Sequence, residues 1–148
     1  MSGGLGEGLE NVKSVELFIP ETGQTCSFPD LPVARYVHTM NMVGDALVVC
    51  GGRYDQGSAI KSCVHLSPPS SSVWTSYATT RKERYFHAAW VSPSGELLLV
   101  GSTYSPDDAE IVNAGTSAGR EIRLEQAAKL GLKLQHNIII DHSGATVE

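Results

Sequence analysis

Three histidines recur at a constant interval. His38, His87 and His136 stand 49 residues apart, and a basic residue precedes each by three positions: Arg35, Arg84 and Lys133. Imidazoles gathered around one axis could ligate a transition metal. Yet side chains a whole repeat apart are spaced too widely to share one ion, and no carboxylate accompanies them at fixed spacing. A histidine hydrogen-bonded to backbone explains the pattern more simply, so no metal site is expected. Other chemistry is equally bare. Ser-rich SPPSSS at 67–72 reads as a loop, since there is no GxSxG elbow. GEGLE near the start follows no strand, so its glycines read as a turn or leader and not as a phosphate cradle. Asp107-Asp108 is a turn signal after Ser105-Pro106, and Glu110 opens a strand. No catalytic residue and no cofactor is expected.

The elements that carry the histidines repeat with them. After His38 and His87 comes an apolar strand, then a turn, Val43-Gly44-Asp45 or Ser92-Pro93-Ser94-Gly95. A second apolar run follows, Ala46-Leu47-Val48-Val49-Cys50 or Leu97-Leu98-Leu99-Val100, closed by Gly51-Gly52 or Gly101-Ser102. The third copy runs from His136 through Ile138-Ile139-Ile140 to the turn Asp141-His142-Ser143-Gly144. The other half of the unit also repeats: SVELFIP at 14–20 matches SCVHLSP at 62–68, with AEIVN at 109–113 as a third copy. Gly3-Gly4 precedes its strand by the interval that separates Gly51-Gly52 from its own. Three periods nearly fill the 148-residue chain. Short apolar runs and turns at a period near 50 predict an all-β array of four-stranded units.

Those marks resemble the kelch repeat, in which a basic residue stands ahead of the first strand, a double glycine ends the second and a tryptophan lies on the fourth. Here they are Arg35 and Arg84, Gly51-Gly52, and Trp74 in SSVWTSYA. Only the unit from about 35 to 78 carries all of them. Gly101-Ser102 departs from the double glycine, Thr25-Cys26 stands where a tryptophan belongs, and the third unit has none. The resemblance implies a partial kelch-type β-propeller: a Gly-rich flexible leader over 1–13, then units at about 14–52, 62–102 and 109–148. One stretch breaks the pattern. Residues 120–130 are good helix formers, with a Glu125–Lys129 pair one turn apart and Gly131 as a cap, so a short helical insertion is expected there.

Composition narrows the function. Hydrophobic residues make up 41% and charged residues 18%, an ordinary globular balance. The net charge of −5 argues against nucleic acid as a partner. No apolar run approaches the roughly 18 residues that span a bilayer, and the start lacks a basic and then apolar leader. A cytoplasmic protein is the default, and no membrane partner is expected. Cys26, Cys50 and Cys63 form no CxxC, and an odd number argues against a disulfide framework, so all three are expected reduced.

By the same resemblance, the function is binding: partner proteins or peptides dock on loops at one face of a kelch propeller. The matching positions are Arg35, Arg84, Tyr54 and Tyr104, with Arg53 beside Tyr54. Arginine and tyrosine are favoured interface anchors, although the motif arginine also serves structurally between blades. An acidic or phosphorylated loop would suit them. The alternative is a piece of a larger propeller enzyme. One copper oxidase uses such a fold, with tyrosines, histidines and a cysteine–tyrosine cross-link, and none of the residues here matches that site. Closed propellers need roughly four to eight blades. A fragment of a longer propeller, or a homodimer completing one, is therefore expected.

Overall fold

The computed structural model describes residues 2–6, 8, 10–54, 58–103 and 105–123, with the backbone of strands Lys133–Gln135 and Ile138–Ile140. The protein is all-β, and no helix occurs among the described residues. A two-stranded sheet comes first, β1 (Val15–Ile19) and β2 (Gln24–Phe28). The first full sheet is a meander of β3 (Thr39–Val43), β4 (Ala46–Cys50), β5 (Ser62–Leu66) and β6 (Thr75–Thr79). The second is the same meander, β7 (Ala88–Val91), β8 (Leu97–Val100), β9 (Ala109–Val112) and β10 (Arg120–Ile122). A hairpin of β11 (Lys133–Gln135) and β12 (Ile138–Ile140) forms the last sheet.

Pairing is antiparallel throughout. β3 and β4 join through the two-residue turn Gly44-Asp45, with Gly44 at φ 59°, a conformation that only glycine adopts freely. β8 and β9 are buried along their whole length. They read as unbroken apolar runs because both faces of the sheet are covered.

The sheets stack face to face. Val48, Cys50, Cys63 and Tyr77 of the first full sheet pack on Leu97, Leu99 and Val112 of the second. On its opposite face, Val49, Val64, Leu66 and Trp74 close on Val15 and Leu31, with Phe28 partly buried beside them. The Trp74 indole N–H donates to the Pro29 carbonyl at 2.8 Å, which ties the ring to the neighbouring sheet.

Two expectations change. Residues 120–122 form β10, paired with β9 in the register Arg120↔Ile111 to Ile122↔Ala109, so the helical insertion is not seen. The apolar face of β9, with Ile111 and Ala109 buried and Ile122 packed on them, outweighs the local helix preference. Residues 124–130 lie outside the described ones. Second, Cys50 and Cys63 are joined by a disulfide. They face each other across β4 and β5 with Cα atoms 4.1 Å apart, and only the strand register reveals that. Cys26 is free and exposed. Gly3 N–H donates to the Ser14 carbonyl and Gly4 N–H to the Arg35 carbonyl, both at 2.8 Å.

Candidate functional site

The repeated Arg-Tyr-Xaa-His segments are loops entering β3 and β7, and each bends sharply. Val37 and Phe86, 49 residues apart, sit at φ 51° and 53°. Neither is glycine, and a branched side chain rarely adopts this left-handed region. The bend is held by the glycine pair of the preceding unit. Gly4 N–H donates to the Arg35 carbonyl, and Gly52 N–H to the Arg84 carbonyl, at 2.8 Å each. A Cβ on Gly51 would lie 2.5 Å from the Arg84 carbonyl oxygen, so only glycine allows this approach.

The arginines lock the same junction from within. Arg35 Nη1 donates to the carbonyls of Gly51 and Ser62 at 3.1 and 3.2 Å. Arg84 Nη1 donates to the equivalent carbonyls, Gly101 and Asp108, at 2.8 and 3.3 Å. Beyond this the two differ. Arg84 also pairs with Glu110 through Nε at 2.5 Å and with Asp108 through Nη2 at 3.1 Å. Glu110 further accepts the Arg81 backbone N–H at 2.9 Å. A Cβ on Gly119 would strike the Glu110 carboxylate, so glycine makes room for it. Among the described residues Arg35 has only neutral acceptors, and burial lowers its pKa to about 10.

The histidines complete the junction. His38 Nε2 is hydrogen-bonded to the Ser2 hydroxyl at 2.8 Å, and His87 Nε2 to the Thr39 hydroxyl at 2.9 Å. Burial, then the Arg35 charge, pushes His38 down to about 4. Burial, then Arg84 and His38, does the same to His87. Both rings are neutral at neutral pH. No group of three or more metal-ligating side chains occurs among the described residues.

Of the expected binding residues, Arg35 and Arg84 are each 0% exposed. Their guanidinium groups are consumed inside the protein, so neither is presented to a partner. Arg53 lies half-buried with its guanidinium 4.7 Å from the centre of the Tyr85 ring, a cation–π contact. Its backbone pairs with Tyr36, N–H to carbonyl in both directions at 3.0 Å. Tyr54 is 46% exposed. Tyr104 lies outside the described residues. Phe86 was not singled out by sequence and is 70% exposed, with its ring against Tyr85. The signal was present in the motif itself, as an apolar residue at the one position between Tyr and His. The Phe86 N–H donates to the Val37 carbonyl, which joins the two strained loops. Arg53, Tyr54, Tyr85 and Phe86 thus share one loop cluster. The chain matches no family model and no curated protein.

Proposed function

We propose that the full sheets are blades of a kelch-type propeller, and that the chain is a protein-interaction module. The partner is a protein or peptide bound at the loop cluster of Arg53, Tyr54 and Phe86. The observation that carries this reading is Phe86: a large apolar ring, 70% exposed, on a backbone held at φ 53°. An exposed aromatic on a strained loop costs stability twice, and such strain concentrates where ligands are held. Tyr54 extends the surface, and Arg53 supplies a cation already oriented by Tyr85. An extended segment with an apolar anchor and an adjacent carboxylate or phosphate fits this chemistry. A disulfide in the core also suits an oxidising compartment better than the cytoplasm, and we place the protein there.

A peptide library displayed on phage and selected on the immobilised chain tests the reading. Enriched peptides are expected to lose at least tenfold in affinity on Phe86→Ala or Tyr54→Ala, and to keep it on Val73→Ser, an exposed control between β5 and β6. Absence of enrichment, or peptides indifferent to both variants, overturns it.

A further inference from the structure

The face of the first full sheet that is turned towards β1 and β2 is unevenly covered. Val49, Val64, Leu66 and Trp74 are buried there against Val15 and Leu31. Towards the β3–β4 turn the cover gives out. Met42 is 53% exposed, and its partner Leu47 is only partly buried. Val91 holds the matching place in the second sheet and is packed into the core between the full sheets. On β1, alternation puts Leu17 on the same face as Val15, yet Leu17 is 47% exposed where Val15 is buried.

Between these residues lies an open groove of about 530 Å³. Leu17, Phe28, Met42, Leu47 and Pro68 form its walls, and Asp45 is the one charged residue that lines it. Asp45 stands in the β3–β4 turn and makes no ion pair among the described residues. Apolar side chains exposed together inside a polar rim mark an interaction site. The flexible thioether of Met42 can adapt to apolar groups of different shape. The groove and the Phe86 loop lie at opposite ends of the first sheet. Gly44-Asp45 and the residues that follow Leu66 are at one end. Gly51 and Gly52, whose N–H group holds the Arg84 carbonyl, are at the other.

We infer that this groove is a second docking surface, and that its occupant is a short segment of another protein carrying apolar side chains beside a lysine or arginine. The walls call for apolar groups, because burying Leu17 and Met42 removes apolar surface from water. Asp45 sets the sign of the charge. A carboxylate at the edge of an apolar surface attracts a cation and disfavours an acidic segment. The loop cluster at the other end has the opposite preference, since Arg53 supplies a cation there. The two surfaces therefore select segments of opposite charge. The groove is built from residues remote from Phe86, so this inference depends neither on that loop nor on the sheets being propeller blades.

A phage-displayed peptide library selected on the full chain carrying Phe86→Ala tests it, because that variant silences the loop cluster. Enriched peptides are expected to hold lysine or arginine beside apolar residues. Met42→Ser, at an exposed position, is expected to weaken them about tenfold by removing an apolar wall. Asp45→Asn suits the same turn and removes only the charge, so about threefold is lost, and less at high salt. Tyr54→Ala, at the other end, leaves the affinity unchanged. With isotope-labelled methionine methyl groups, the Met42 resonance is expected to shift as peptide is added. Absence of enrichment, acidic or uncharged peptides, or peptides indifferent to Met42→Ser overturns the inference. Self-association that Met42→Ser abolishes also overturns it, since a second copy would then be the occupant. Peptides selected on the unaltered chain and lost on Phe86→Ala report separately on the loop cluster.

Discussion

The two full sheets share a backbone plan and solve the same packing problem with different chemistry. In each, an arginine at the sheet's entrance bonds two carbonyls, a residue at positive φ follows, and a histidine is hydrogen-bonded to a hydroxyl. In the first sheet the strands beneath are joined by Cys50–Cys63, and Arg35 is buried with no carboxylate beside it among the described residues. In the second, Val100 opposes Ala109 at the matching place, and Arg84 is neutralised by Asp108 and Glu110. The conserved part of the plan is the contact between units, glycine pair to arginine carbonyl. The variable part is how each unit holds its own middle strands.

The sharpest way to break the second solution is Arg84→Met. It leaves Glu110, fully buried, without its cation. Removing one partner of a buried pair costs about 3–5 kcal/mol, and the same change at Arg35 is expected to cost less, about 1–2 kcal/mol, because only neutral acceptors are orphaned. Urea unfolding of both variants measures the gap. The combined Arg84→Met and Glu110→Leu variant should recover part of the loss, since an apolar pair avoids the desolvation of two charges. Equal losses at Arg35 and Arg84 would remove the distinction drawn between the sheets.

How much of this was legible in the sequence depends on the range of the signal. The repeat, the all-β class and most strand limits follow from short apolar runs and glycine turns, which act locally. The burial of Arg35 and Arg84 runs against sequence expectation, because charge is ordinarily a surface property. Only the position of Gly51, Gly101 and Asp108 around each guanidinium reverses that. Cys50 and Cys63 meet through strand register, 13 residues apart, with no motif to announce them. The segment at 120–122 has helical composition, and its pairing with β9 is a long-range fact that propensity does not contain. The exposure of Phe86 is not legible in the sequence, because apolar residues ordinarily belong to the core and its exposure depends on the bend at its own Cα.

The disulfide can be exchanged for the other sheet's answer. Cys50→Val with Cys63→Ala copies the Val100–Ala109 pair into the first sheet. Packing volume is roughly kept, so the loss should approach the cross-link's contribution alone, about 3 kcal/mol for a loop of this length. Chemical unfolding of the oxidised chain against the double variant measures it. A loss below 1 kcal/mol would mean that packing between the full sheets, not the cross-link, holds β4 to β5.

Acid should strain the histidine junctions. His87 has a folded pKa of about 4 against an ordinary 6.5, so the unfolded chain binds more protons between those values. Stability therefore falls as pH drops through that window and is flat above it. For His87 alone, lowering pH from 6.5 to 5 should remove on the order of 2 kcal/mol. His38 carries the same sign with more exposure and a smaller effect. Urea midpoints from pH 7.5 to 4.5 trace the slope, and His87→Gln is expected to flatten it. A profile unchanged by that variant would assign the acid sensitivity elsewhere.

The smallest effect separates strain kept for architecture from strain kept for binding. Val37 and Phe86 occupy the same left-handed conformation in matching loops, yet only Phe86 is prominently exposed. Asparagine tolerates this region far better than either residue. Val37→Asn and Phe86→Asn should each raise thermal stability, by about 0.5–1 kcal/mol, because the bend remains while its backbone cost falls. Their consequences for selected peptides should diverge. Val37→Asn leaves the Phe86 ring in place and affinity within about twofold, whereas Phe86→Asn removes the ring and loses affinity while gaining stability. A stability gain bought with lost binding at one loop and at no cost in the other would tie the strain at Phe86 to the partner, since architecture alone treats the two loops alike.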